Sequence, residues 1–172
     1  MRRNVEIKAK VRDLQSLRAL AEEISDSGPN VIEQEDTFFN CTNGHLKLRK
    51  FSDTKGELLF YRRDGARGLQ ECKYIVSVTK DPDTLGELLI NAFKSRGIVR
   101  KKRTVFLAGQ TRIHLDEVQD LGEFVELEVV LVPGQSINEG MSIAESLMKQ
   151  LGITKDELID KSYIDLMTQS NV

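Results

Sequence analysis

The sequence is short of cysteine, of net charge and of long apolar runs, and each shortage excludes a class of protein. Two cysteines in 172 residues, Cys41 and Cys72, are too few for a disulfide framework or a zinc site. The 25 Lys and Arg residues nearly balance the 27 Asp and Glu residues, and the net charge of −2 argues against a general nucleic-acid binder. No apolar run approaches the roughly 20 residues that span a membrane.

The rest of the composition is that of an ordinary globular chain. Hydrophobic residues make up 40% and charged residues 30%, so enough apolar material is present for a core. Residues 1–6 contain no apolar segment of the kind that a secretory signal requires. The length fits one domain over residues 1–172. We expect a reduced, soluble, cytoplasmic protein that binds neither membranes nor nucleic acid and is a monomer or homodimer.

Four segments carry apolar residues at helical spacing. The first three begin at an Asp or Ser N-cap, which is followed by an apolar stripe along one helix face. The predicted helices run from Asp13 to near Gly28-Pro29, from Asp81-Pro82 to Phe93, from Ser136 to Gly152, and through Leu158, Ile159, Ile164 and Leu166. Helices with such stripes need an apolar surface to pack against.

Eight further segments alternate between apolar and polar residues, which predicts β-strands. They are residues 3–12, 31–40, 45–51, 57–63, 71–79, 98–107, 110–118 and 122–132. Several of the connections are short turn clusters, and strands joined in this way pair antiparallel. Eight strands are more than one flat sheet usually holds, so the sequence predicts an α+β fold with a closed or nearly closed antiparallel barrel and helices packed outside.

The polar face of these strands is unusually rich in charge, and two interpretations are open. In the first, the charged face meets water and the apolar face forms a core, as in many antiparallel sheets. In the second, the barrel encloses the charged face and the helices cover its apolar outside. The second interpretation gives the helix stripes an apolar surface, which a barrel with an apolar interior would not.

Enclosed charges are costly unless they are paired or bind a ligand. The predicted interior acids are Glu6, Asp116, Glu126 and Glu128, and the predicted interior bases are Lys8, Lys10, Lys47, Arg49, Arg63, Lys73, Lys101, Arg103 and Arg112. The excess of bases indicates a polyanion, and the clustered carboxylates indicate a hard divalent cation. A triphosphate with Mg²⁺ or Mn²⁺ satisfies both. His114 shares this face, where it can donate to phosphate or pair with Asp116.

The sequence also resembles a known family. Asn4-Val5-Glu6-Ile7-Lys8 is similar to the alternating Glu-x-Glu-x-Lys signature of CYTH domains, the triphosphate tunnel metalloenzymes. Residues 112–118 and 121–129 resemble the last barrel strands of the class IV adenylyl cyclase-like branch. Further similarities, in the same order along the chain, lie at residues 34–39, 46–49, 61–63, 101–103 and 162–163.

The resemblance implies an eight-stranded antiparallel tunnel, open at both ends, with a charged interior. By resemblance, Glu6, Glu126 and Glu128 bind a divalent metal, with Asp116 near them. The resemblance assigns the triphosphate to Lys8, Lys47, Arg49, Arg63, Lys101, Arg103 and Arg112, and the alternation adds Lys10, Lys73 and His114. The candidate catalytic residues are Glu6, Lys8, Glu126 and Glu128.

One position departs from the signature, because Asn4 stands where the first Glu is expected. Its amide oxygen can coordinate a cation but adds no negative charge, so a second metal ion would bind more weakly. We expect a metal-dependent hydrolase of inorganic triphosphate, a nucleoside triphosphate or thiamine triphosphate. The alternatives are a class IV adenylyl cyclase and a non-catalytic binder of polyphosphate or nucleotide. The segment from Ser136 onward is expected to pack on the barrel exterior or to cap one mouth.

Overall fold

The computed structural model of the protein describes residues 1–64 and 68–170. Within them, eight antiparallel strands close into one barrel. The strands are β1 (Arg2–Lys10), β2 (Ser27–Phe39), β3 (His45–Ser52), β4 (Lys55–Asp64), β5 (Gln70–Thr79), β6 (Ser95–Ala108), β7 (Thr111–Val118) and β8 (Gly122–Val130). Their order around the ring is β1-β5-β4-β3-β2-β6-β7-β8, and β8 pairs with β1. The predicted antiparallel barrel is confirmed.

Strands β2 and β6 are longer than predicted, with 13 and 14 residues. Gly28-Pro29, the predicted end of the first helix, lies inside β2. The pairing of β2 with β6 shifts register between Ser27 and Asn30, and Gly28 there has a φ of 116°. A bulge of this kind accommodates a proline, which cannot donate to the strand ladder.

Three of the helices begin where the sequence predicts. They are α1 (Leu14–Ile24), α2 (Pro82–Phe93) and α3 (Ile137–Leu151). The side chains of Asp13 and Asp81 accept hydrogen bonds from Ser16 and Thr84 backbone nitrogens, and Ser136 forms a capping box with Glu139. Among the described residues, no helix has both the length and the apolar character needed to cross a bilayer.

The fourth helix begins later than predicted. Helix α4 runs over Tyr163–Ser170, after a short 3₁₀ turn at Lys155–Glu157. Leu158 instead forms an isolated bridge with Ala9, and the Ile159 backbone nitrogen donates to the Lys8 carbonyl at 2.8 Å. The backbone of this segment therefore pairs with β1 before the helix starts.

The main apolar core lies between the outer face of the barrel and the helices. Ile7, Ile113 and Leu127 from the strands pack with Ala21 of α1 and Met148 of α3. A second cluster joins α2 to the outer faces of β2 and β3. The apolar faces of these strands point outward and the charged faces point inward, so the interpretation with a solvated charged face is wrong.

Helix α4 fills one end of the barrel. Tyr163 and Ile164 pack against Phe38, Val99 and Phe124, which face the interior at that end. The ring of Tyr163 meets that of Phe124 edge-on, with the centroids 5.0 Å apart. The expectation of a tunnel open at both ends is therefore wrong for this end. The C-terminal segment both packs outside, through α3, and caps a mouth, through α4.

Candidate active site in the barrel interior

A cavity of about 360 Å³ occupies the barrel interior. Among the described residues, its charged lining consists of the bases Arg2, Lys8, Lys47, Arg49, Arg63, Lys101, Arg103 and Arg112 and the acids Glu6, Asp36, Glu57, Glu126 and Glu128. His114 also lines it. Eleven residues of the predicted site thus share one cavity, which holds three more bases than acids.

The strand register arranges the inward-facing side chains in layers along the barrel axis. The strands tilt relative to the barrel axis. On the next strand, the residue of the same layer is therefore not the direct pairing partner but lies two positions along the strand from it. One layer consists of Glu6, Cys72, Tyr61, Lys47, Asp36, Lys101, Asp116 and Glu126. The next consists of Asn4, Tyr74, Leu59, Arg49, Gln34, Arg103, His114 and Glu128. The charged groups therefore concentrate in the middle of the bore.

Three bases of these layers surround Asp36, whose side chain is 1% exposed. Arg49 donates to it through Nε at 2.8 Å and Nη2 at 2.9 Å. Lys47 Nζ lies 3.0 Å and Lys101 Nζ 3.5 Å from Asp36 Oδ2. Asp36 is absent from the predicted site, although its alternation with Gln34 is the signal that places it inward. It holds the three bases in position.

The charges of Asp36 and of the three bases around it do not cancel. Burial alone would raise the pKa of Asp36, but Arg49 and Lys47 hold it well below its usual range. Burial, with Arg49 close by, lowers the pKa of Lys47 to about 7. A single carboxylate thus faces three bases, one of which is readily deprotonated. A polyanion entering the cluster would compensate the remaining positive charge.

The acids lie on the adjacent strands β8 and β1. Glu128 accepts hydrogen bonds from Arg112 Nε at 2.5 Å and from Asn4 Nδ2 at 2.8 Å. Glu126 accepts from Arg103 Nη2 at 2.6 Å. Burial would raise the pKa of Glu126, but Arg103 and then Lys8 hold it well below its usual range. Glu126 is therefore ionised, and each of the two glutamates is held by an arginine.

Glu6 and Lys8 stand beside these acids on β1. Arg63 Nε lies 3.3 Å from Glu6 Oε2, and Lys8 Nζ lies 3.4 Å from Glu126 Oε1. Burial lowers the pKa of Lys8 to about 8. Its ammonium group also donates to the Lys161 carbonyl at 3.0 Å and sits 4.1 Å from the Tyr163 ring centroid. Lys8 therefore connects the acids to the segment that caps the barrel.

Asp116 faces inward from β7, but Arg103 and Tyr163 cover it, so it does not line the cavity. It is fully buried, and it accepts two hydrogen bonds from Arg103, at 2.6 and 2.5 Å. The Tyr163 hydroxyl donates to it at 2.7 Å. Both of its oxygens are engaged, so the observed contacts position Arg103. A role for Asp116 as a metal ligand stays a prediction.

Two predicted bases lie outside the cavity. On β5 the inward positions belong to Cys72 and Tyr74, so Lys73 faces outward, where its Nζ lies 3.4 Å from both Asp64 and Glu71. The prediction that Lys73 is an interior base is wrong. Lys10 is exposed at the end of β1, with Nζ 6.0 Å from the Phe124 ring, so its interior placement is also wrong.

His114 lies between the two glutamates of β8. Its Nδ1 is 3.8 Å from Glu126 and its Nε2 is 3.9 Å from Glu128, too far for hydrogen bonds. Burial, with Arg103 nearby, lowers its pKa. A neutral imidazole is expected at neutral pH, and it faces the glutamates rather than Asp116.

The donor chemistry of the acidic side fits a hard divalent cation. Glu6, Glu126 and Glu128 offer carboxylate oxygens on neighbouring strands, and the buried Asn4 Oδ1 lacks a hydrogen-bond partner among the described residues. Within residues 1–64 and 68–170, however, no three His, Cys, Asp or Glu side chains form a ready metal cluster. Arginines are paired with these carboxylates, and a guanidinium group binds phosphate equally well. A phosphate chain that engages them would free oxygens for a cation.

The CYTH domain family matches this chain over residues 2–163. The chain belongs to the CYTH domain family. A relative from Methanocaldococcus jannaschii, named as a candidate adenylate cyclase, is 30% identical over 94% of this CYTH chain and 97% of its own length.

Two solved structures share the CYTH barrel seen here. The PH1012 protein of Pyrococcus horikoshii has a TM-score of 0.86 at 24% identity, over 95% of this chain and 98% of its own. A Hippeastrum protein has a TM-score of 0.71 at 16% identity, over 99% of this chain and 96% of its own. It is named as a candidate adenylyl cyclase and described as having a dominant triphosphatase activity. At these identities the two likenesses concern the fold.

Proposed function

We propose that the protein is a divalent-metal-dependent phosphohydrolase that acts on a triphosphate-bearing substrate inside the barrel. The observation that carries this proposal is the charge of the cavity, which has eight bases and five acids among its described lining residues. With Asp116, which is buried against Arg103, the bases of this enclosed space still outnumber the acids by two, and such an excess is costly without an anion. A triphosphate carrying one divalent cation retains a comparable negative charge and would neutralise it.

The arrangement of the charges suggests how such a substrate lies. Lys47, Arg49 and Lys101 would bind phosphoryl oxygens on one side of the bore, together with Arg63, Arg103 and Arg112. Glu6, Glu126 and Glu128 would hold Mg²⁺ or Mn²⁺ on the other side. The cation, when bound, would polarise the phosphoryl oxygens and lower the pKa of an attacking water.

The protein's own contribution is positioning and charge stabilisation. In hydrolysis, a water oxygen forms a bond to the terminal phosphorus while the bridging P–O bond breaks, giving orthophosphate and a diphosphate. Bases that Asp36 and Asp116 hold in fixed positions would stabilise the developing charge without reorganising. Asn4 stands where the CYTH signature has a glutamate. The acidic side of the cavity therefore has one negative charge fewer with which to bind a second cation.

The relatives support this proposal and one alternative. The Hippeastrum protein is described as having a dominant triphosphatase activity, which favours hydrolysis. The Methanocaldococcus relative is named as a candidate adenylate cyclase, which favours attack of the ribose 3′-hydroxyl on the α-phosphorus with release of pyrophosphate. Both reactions would use the same bases and the same cation.

The product of the reaction distinguishes these functions. We expect purified protein with Mg²⁺ or Mn²⁺ to release orthophosphate from at least one of tripolyphosphate, ATP and thiamine triphosphate, and EDTA to abolish the release. Phosphate release and cyclic AMP are measured in the same samples. Cyclic AMP with pyrophosphate as the main products would establish the cyclase instead. Binding of all three compounds without turnover would contradict any enzymatic function.

A further inference from the structure

The barrel wall is incomplete beside β1, near the end that α4 closes. Among the described residues, β1 pairs with β8 as far as Lys10 but with β5 only as far as Glu6. Beyond Glu6, the segment that precedes α4 takes the place of β5. Leu158 bridges Ala9, and a Cβ added at Gly68 would lie 2.9 Å from the Leu158 side chain. The wall is therefore completed here by an irregular segment rather than by a strand.

A small cavity of about 30 Å³ lies at this junction. On its outer side the lining includes Asp160, which is exposed. On its inner side the lining includes Lys8, Arg63 and Gln70. We call this junction the seam and define it by these four residues. Glu6 and Glu126 line the same cavity, so the seam leads from the protein surface to the acidic side of the candidate active site.

The seam enters the bore deeper than the charged layers. By the strand register, Lys8, Arg63 and Gln70 occupy one layer, which is next to the layer of Glu6 on the side of α4. The same layer contains Phe38, against which α4 packs. A phosphate chain bound in the charged layers would therefore leave the seam between itself and the closed end.

This position matters for hydrolysis, because the attacking and leaving oxygens lie roughly in line through the phosphorus. A chain that enters through the open mouth has its terminal phosphorus nearest to α4. The attacking water must then lie on the far side of that phosphorus, between the substrate and the closed end. The bound chain blocks the way from the mouth, and Tyr163 and Ile164 fill the closed end. The seam opens into the space that remains.

The size and lining of the seam suit water. A water molecule needs a cavity of at least about 10–15 Å³ and two to four polar partners. The seam offers about 30 Å³, with charged or amide side chains on both sides. Orthophosphate is larger than this cavity, and a divalent cation such as Mg²⁺ gives up its bound waters reluctantly. Water is therefore the reactant that the seam can admit.

We propose that the attacking water reaches the terminal phosphorus through the seam rather than through the mouth of the barrel. This inference rests on the proposed function, because it assumes that a phosphate chain occupies the charged layers. Lys8, Arg63 and Gln70 would donate hydrogen bonds to the entering water. Asp160 lies at the outer opening.

The test uses methanol as a second nucleophile, with whichever of tripolyphosphate, ATP and thiamine triphosphate the wild type hydrolyses fastest. The methanol oxygen bonds to the terminal phosphorus while the bridging P–O bond breaks, which gives methyl phosphate and the diphosphate. The hydroxyl proton passes to solvent water. Phosphorus NMR measures the ratio of methyl phosphate to orthophosphate at a fixed methanol concentration.

Two substitutions of Gln70 change the width of the seam in opposite directions. Gln70→Ala widens it and should raise the ratio about tenfold, since a passage that fits water discriminates against one added carbon by about that factor. Gln70→Phe fills it and should lower phosphate release at least about tenfold. Its affinity for tripolyphosphate, measured by calorimetry with EDTA present, should change less than about twofold, because no charged contact is removed.

Val76→Ala is the matched control, since Val76 also lines the bore from β5 but lies nearer the mouth. It should leave the methyl phosphate ratio at the wild-type value. A rise in Val76→Ala as large as that in Gln70→Ala would overturn the proposal, because it would place the entry of water at the mouth. An unchanged ratio in Gln70→Ala, or undiminished release in Gln70→Phe, would also overturn it.

These failures leave the proposed hydrolase intact. If Gln70→Phe no longer binds tripolyphosphate, its bore is disturbed, and the ratio in Gln70→Ala alone decides. Release of no phosphate from any of the three compounds by the wild type would overturn the proposed function, and the route through the seam with it.

Discussion

Glu128→Gln is expected to reduce metal-dependent phosphate release by about 10²–10³-fold while the protein remains folded. The amide keeps the shape of the side chain, and its single oxygen can still accept the hydrogen bond from Arg112, while the bond from Asn4 is lost. It cannot supply the negative charge that a hard cation requires. The measurement is the initial rate of phosphate release at saturating Mn²⁺ and Mg²⁺, together with a thermal melt of each protein.

The matched control is Glu123→Gln, on the same strand but facing outward, since Phe124, Glu126 and Glu128 occupy the inward positions. It should retain nearly full activity. Full activity in Glu128→Gln as well, with a normal melt, would remove Glu128 from the metal site and contradict the assignment of this side of the bore.

Asp36→Asn is expected to lower the free energy of unfolding by about 3–5 kcal/mol, because it leaves buried positive charges without their counter-charge. Lys47, Arg49 and Lys101 all contact this carboxylate, whose two oxygens accept their hydrogen bonds. Tripolyphosphate should then stabilise the variant more than it stabilises the wild type, because the anion restores the missing charge. Urea denaturation with and without tripolyphosphate measures both effects.

Glu35→Gln provides the comparison for Asp36→Asn, since it removes the neighbouring carboxylate of β2 from an exposed pair with Arg100. Exposed pairs contribute about 1 kcal/mol or less, so little change is expected with or without the anion. If Asp36→Asn were as stable as Glu35→Gln, or if tripolyphosphate gave it no additional stability, the three bases would not form an anion site.

The fold could be predicted from the sequence because the signals for its strands and helices are local. Alternation marks the strands, and the N-caps at Asp13, Asp81 and Ser136 mark three helices. The start of α4 was not accessible in this way, because Leu158 and Ile159 have an apolar pattern that suits a helix. Their backbone pairs with β1, a contact distant in sequence that local propensity does not contain.

The residues of the site could be predicted where the two faces of a strand differ clearly in charge, as on β1 and β8. On β5, the positions of the charged residues predict the wrong face as the inward one. Lys73 lies outside, while the inward Cys72, Tyr74 and Val76 carry no charge. Asp36 was missed because both faces of β2 are polar there, with Glu35 outside. Only the register with β3 and β6 shows that three bases converge on Asp36.

A crystal grown with Mn²⁺ and tripolyphosphate tests most directly whether the charged bore holds a metal-bound triphosphate. We expect anomalous density for manganese beside Glu126 and Glu128, and a phosphate chain that contacts Arg49 and Lys101 within the barrel. If both ligands bound only on the outer surface, the bore would be empty, and Arg103 and Arg112 would remain paired with the glutamates. That result would contradict a triphosphate site inside the barrel.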